Sequence, residues 1–136
     1  MKFTGLRIAG GAVLTGLAIV ALTCPEDLRK TIGISVAVVS LFLLVLSRIH
    51  LGASFSIRPK AKALVTKGLY SRIQHPLYFF VDMLLWGLIV YFGALWPLPV
   101  WVVLLAVHVL EARKEERLLR SAFGQPYEEY QSRTWF

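Results

Sequence analysis

A chain of 136 residues has room for one domain, and a hydrophobic content of 57% with a mean hydropathy of +0.63 excludes an ordinary soluble one. The net charge of +7 does not point to nucleic acid: most basic residues flank apolar runs, where they act as topology signals and lipid anchors, and no recognition motif accompanies them. Cys24 alone can build neither an internal disulfide nor a thiolate metal site, so it reads as a packing residue and no metal is expected.

The first apolar run covers residues 8–24. Gly10, Gly11 and Gly16, with Ala9, Ala12 and Ala18, offer small faces of the kind that let membrane helices approach closely. Lys2 and Arg7 ahead of this run also fit a cleaved signal sequence, but Ala21-Leu22-Thr23-Cys24 is a poor cleavage box, and the run is read as a retained span. The second run, residues 31–47, carries no catalytic group and reads with the first as scaffold.

The third run, Leu77 to Leu110, is interrupted by only two ionisable residues, Asp82 and His108. As one helix it would be about 50 Å long, far more than the roughly 30 Å hydrocarbon core, so it must fold back. Gly93, Pro97 and Pro99 supply the break, which predicts helices over 77–92 and 98–110. The predicted fold is all-α integral membrane: one membrane domain over residues 1–136, with four transmembrane helices and a C-terminal cytoplasmic helix extension.

Orientation follows from the basic residues. With four spans, the N-terminus, the 48–76 segment and the C-terminal tail share one side and hold all the Lys and Arg except Arg29 and Lys30. The positive-inside rule therefore puts both termini in the cytoplasm. Two cytoplasmic pieces, Leu51 to Tyr78 and Glu111 to Phe136, then bracket the helical hairpin and meet at one membrane face.

In the first piece, Lys60, Lys62 and Lys67 surround the apolar trio Ala63-Leu64-Val65, and Thr66 and Gly68 signal a loop whose backbone amides can clasp a ligand. Pro76 suits the first turn of a helix and pushes His75 toward an extended conformation at the hairpin's mouth. Read plainly, Tyr70 and Tyr78 are interfacial aromatics and His75 a solvated cap. In the second piece a helix continues from Glu111 to Phe123, and Gly124 and Pro126 stop it. Glu116 and Arg120, four apart, can pair on its surface, and its plain reading is a solvated charged helix.

The two pieces together support a more specific reading. LVTKGLYSRIQHPLY at Leu64 to Tyr78, one helical hairpin, and EERLLRSAFGQPYEEY at Glu115 to Tyr130 resemble, in wording and order, the membrane methyltransferases of the isoprenylcysteine carboxyl methyltransferase and phospholipid methyltransferase group. The resemblance covers about residues 62–136, which it marks as the cofactor-binding part. It implies an S-adenosylmethionine-dependent methyltransferase whose cofactor lies at the cytoplasmic end of the hairpin. Carried over by position, Leu64 and Val65 contact the cofactor, Tyr70 lines the pocket, His75, Pro76 and Tyr78 form its mouth, and Glu115 with Glu116 is the acidic pair that accepts its hydrogen bonds.

Gln74 stands where that group usually has arginine, and Phe80 where a small residue is common. These departures argue against a prenylated protein as substrate and for a lipid-like or small apolar acceptor entering from the bilayer. A carboxylate acceptor would arrive ionised, whereas an amine or hydroxyl would need a base. His75 and Asp82 are the catalytic candidates, Asp82 being either functional or a hydrogen-bonding group of the bundle. Two rivals belong to other classes: a small four-span transporter or scaffold, in which Asp82 would couple protons, and an NADPH-dependent reductase. An exporter gives no reason for both motif halves to occur in order, and no phosphate-binding glycine loop is evident for the reductase.

Overall fold

We describe residues 2–52 and 64–134 of a computed structural model, with side chains from Ala9 onward. The expected loop around Lys60, Lys62 and Ala63, the tail pair Trp135-Phe136, and the side chains of Lys2 and Arg7 lie outside the described residues. Among the described residues the regular structure is helical, with no strand: α1 (Lys2–Leu22), α2 (Glu26–Leu51), α3 (Pro76–Phe92), α4 (Leu98–Phe123) and α5 (Gln125–Arg133), plus a short 3-10 turn at Gly68–Ser71.

The helix limits follow from local chemistry. α2 begins five residues before its apolar run, because Pro25 precedes it and Glu26 and Asp27 are favourable in a first turn facing the positive end of the helix dipole. Arg29 and Lys30 therefore lie within the helix. The Arg29 guanidinium reaches across to donate to the carbonyls of Val90 and Tyr91 at 3.0 and 2.9 Å. It caps the last turn of α3 from outside, adding to the Gly93 amide that also reaches the Val90 carbonyl. α3 has Pro76 in its first turn and ends on Gly93, whose φ of 67° is left-handed, and α4 leaves the turn through Pro97 and Pro99.

α4 runs without a break from the hairpin into the charged extension and stops at Gly124. The chain then turns into α5, with Pro126 in its first turn, where only a tail was expected.

The most extensive contact joins α2 and α3. Gly33 and Gly87 face each other there: a Cβ on Gly87 would lie 2.8 Å from both the Ala37 nitrogen and the Gly33 carbonyl oxygen, so the two backbones approach as closely as two glycines allow. The small faces expected on α1 are used in part. Gly11 abuts Leu105, and Ala18 is fully buried, whereas Gly10 and Gly16 meet no neighbour. Ala18, Ala21, Trp86, Ile89, Val90, Leu98 and Trp101 form the core where α1, α3 and α4 converge.

Among the described residues, α2 alone is long and apolar enough to cross a membrane; Ala9–Leu22 and Pro76–Phe92 are shorter apolar helices. The 17 residues of α3 span about 26 Å.

Candidate functional site

The segment before α3 and the far half of α4 meet at one end of the hairpin. Leu64 and Val65 are half-buried in non-helical backbone, and the 3-10 turn that follows buries Tyr70. Gly68 holds a φ of 61°, and a Cβ there would strike the His50 ring at 2.6 Å, so the turn seats against the end of α2 only with glycine at this position.

His75 precedes α3 with φ −126° and ψ 60°: Pro76 keeps it out of the helical region, but it stops short of the extended conformation expected before proline. Its side chain is only 10% exposed, which rules out the solvated cap. Nδ1 lies 3.4 Å from Glu115 Oε2, and Nε2 lies 3.3 Å from Glu116 Oε1. An ionised carboxylate only accepts, so the doubly protonated ring matches both partners at once. The acidic pair and the histidine of the two sequence motifs thus form one cluster.

The phenols complete it. Tyr130 of α5 donates to the Tyr70 carbonyl at 2.7 Å. Burial raises the Tyr70 phenol well above its ordinary range, and Glu115 pushes it further; burial and the same carboxylate push Tyr130 up to about 12. Both phenols therefore stay neutral donors at physiological pH. A second bond ties the chain end to this place: Gln74 Nε2 donates to Thr134 Oγ1 at 2.7 Å, and both residues are 6% exposed. The glutamine that departs from the arginine pattern holds the end of α5 against the segment before α3. Its Oε1 is a buried acceptor with no hydrogen-bond partner among the described residues.

From His75 a line of rings leads inward. Tyr78 stacks on His75, with centroids 5.9 Å apart, and on His108 of α4 at 5.2 Å. His108 Nδ1 sits 3.0 Å from both oxygens of Asp82, whose own backbone carbonyl accepts from Trp101 Nε1 at 3.1 Å. His75, Tyr78, Asp82 and His108 line an apolar cavity of about 300 Å³ that α1 borders with Gly10, Gly11 and Leu14. Sequence reading marked His108 as an ionisable residue in an apolar run but gave it no role. The signal was present, and the missing fact was that 26 residues of hairpin bring it back onto Asp82.

The expected surface pairing of Glu116 with Arg120 is superseded. Glu116 turns to His75, and Arg120 bonds Gln131 of α5 at 2.9 Å, across the turn at Gly124. The structure thus brings Tyr70, His75, Glu115 and Glu116 together and continues the group through Tyr78 to Asp82. Pro76 is buried at the first turn of α3, beside His75.

The described helices gather an acidic pair, a histidine and two phenols at the mouth of a hairpin, beside an apolar cavity. Residues 28–126, more than half of the chain, match the phospholipid methyltransferase family, and the chain belongs to that family. No curated protein and no solved structure matches it. The family match begins in α2, well before the motif at Leu64, and ends before the tyrosines of α5.

Proposed function

We propose that the protein is an S-adenosylmethionine-dependent methyltransferase that works on a lipid-like or small apolar acceptor at the cytoplasmic face of a membrane. The observation that carries this reading is the cluster of His75 with Glu115 and Glu116, which joins the two motif halves in a chain of the phospholipid methyltransferase family.

The residues present suit the methyl donor. Glu115 and Glu116 are acceptor-only groups, 38% and 21% exposed, and match ribose hydroxyls or an ammonium with charge-assisted hydrogen bonds. Leu64 and Val65 offer non-helical backbone and apolar surface, Tyr70 a buried wall, and Pro76 and Tyr78 the passage to the cavity. S-adenosylmethionine supplies an activated methyl group on a sulfonium. The chain's part is to hold the acceptor in line with it and exclude water, and positioning alone is worth several kcal/mol of the barrier. His75 fixes the acidic pair, and Asp82 faces the acceptor cavity.

Four spans with both termini in the cytoplasm fit the exposed apolar faces of α1, α2 and α4, where Val20, Phe42, Ile49 and Val103 stand open. The hairpin is shorter than the hydrocarbon core, so the bilayer thins around it or its tip stays below the far interface. The test is calorimetric titration of the detergent-solubilised protein with S-adenosylmethionine and, separately, with NADPH. Heat with the first alone supports the reading. Heat with NADPH alone, or with neither, overturns it.

A further inference from the structure

The Asp82 side chain is 7% exposed, and both its oxygens meet the same ring nitrogen of His108. A carboxylate cannot donate, so in the neutral ring Nδ1 carries the proton and Nε2 keeps its lone pair. Stacking on Tyr78 holds the ring plane, and Nε2 has no hydrogen-bond partner among the described residues. A ring fixed in one tautomer by a buried carboxylate, with its other nitrogen unengaged, is the arrangement of a general base oriented by a third group. The ring also lines the cavity, where the other polar side chains among the described residues are His75, Tyr78 and Asp82.

We propose that His108, positioned by Asp82, takes the proton of the acceptor, and that the acceptor is an apolar molecule whose reacting atom is a neutral amine or hydroxyl. The proposal rests on the methyltransferase reading. The acceptor's heteroatom gives its lone pair to the methyl carbon, and the carbon–sulfur bond breaks with its electron pair left on sulfur. The proton passes from the heteroatom to His108 Nε2. The imidazolium so formed faces Asp82 and then releases its proton to water. A carboxylate acceptor carries no proton to remove.

The test uses the full chain in phosphatidylcholine vesicles with S-adenosylmethionine and three probes: dodecylamine, a long-chain alkylphenol and dodecanoate. The wild type should methylate the amine or the phenol in preference to dodecanoate. His108→Gln, whose amide can still donate to Asp82, should lower that turnover about a hundredfold or more while binding S-adenosylmethionine as the wild type does. Added imidazole should restore part of the rate in His108→Ala, which a purely structural role would not allow. Nitrogen NMR of isotope-labelled histidine should show His108 protonated on Nδ1, and Asp82→Asn should abolish that preference.

Dodecanoate as the best probe, or undiminished turnover in His108→Gln, would overturn the proposal while the methyltransferase reading stands. If the wild type does not bind S-adenosylmethionine, the underlying reading fails instead. Where no probe turns over, the tautomer decides: a proton on Nε2 in the wild type overturns the proposal.

Discussion

His75 and Glu116 stand 41 residues apart in the chain and 3.3 Å apart in space, ring nitrogen to carboxylate oxygen. The hairpin of α3 and α4 makes this possible, since it begins just after one residue and returns before the other. Two stretches that look separately like an interfacial anchor and a solvated helix become one polar cluster.

That geometry requires both pieces to lie on the same side of the membrane. A reporter fused after Phe136 and another inserted at Lys60 should both report cytoplasm, as the basic residues on that side require. A luminal or periplasmic signal from either contradicts the four-span arrangement.

The α2–α3 contact should be intolerant of added bulk. Gly87→Ala puts a Cβ 2.8 Å from two backbone atoms of α2, which can only move apart, and should cost about 1 to 3 kcal/mol of unfolding free energy in mixed micelles. Gly16→Ala, which meets nothing, is the control and should be neutral.

Thr134→Val keeps the shape of the side chain but leaves the buried Gln74 amide without its acceptor. The loss should be about 1 to 3 kcal/mol in the same assay. A variant as stable as the wild type would show that α5 is not latched at this point.

The Tyr130 phenol gives a pH dependence with a definite sign. Its folded value, about 12, lies above the ordinary 10.0 because burial and Glu115 disfavour the anion. The folded state therefore holds its proton longer than the unfolded chain. Its contribution to stability is complete below pH 10 and is lost as pH rises toward 12. Unfolding measured across that window should show stability falling with pH, and Tyr130→Phe should flatten the fall.

The helices were legible because apolar runs and their Gly and Pro breaks are local signals. Their charged ends were not: α2 starts at Glu26 because a first turn welcomes acidic residues, while an apolar run stops where charge begins. The Gly33–Gly87 contact escaped because neither glycine marks its partner, and α1, richer in glycine, drew attention instead. The site was legible through its motif pieces, but their meeting depends on tertiary structure, as do the Asp82–His108 pair and the α5 latch through Gln74.

The most direct measurement is the affinity for S-adenosylmethionine of Glu115→Ala beside the wild type, with Arg120→Ala as control. Glu115 is proposed to help hold the cofactor, whereas the bond that Arg120 makes among the described residues is to Gln131 in the exposed turn. Removing a charge-assisted hydrogen bond costs about 1.5 to 3 kcal/mol, so Kd should rise about tenfold to a hundredfold in Glu115→Ala and stay unchanged in Arg120→Ala. A folded Glu115→Ala protein with wild-type affinity would contradict the claim that the two motif halves build one cofactor site.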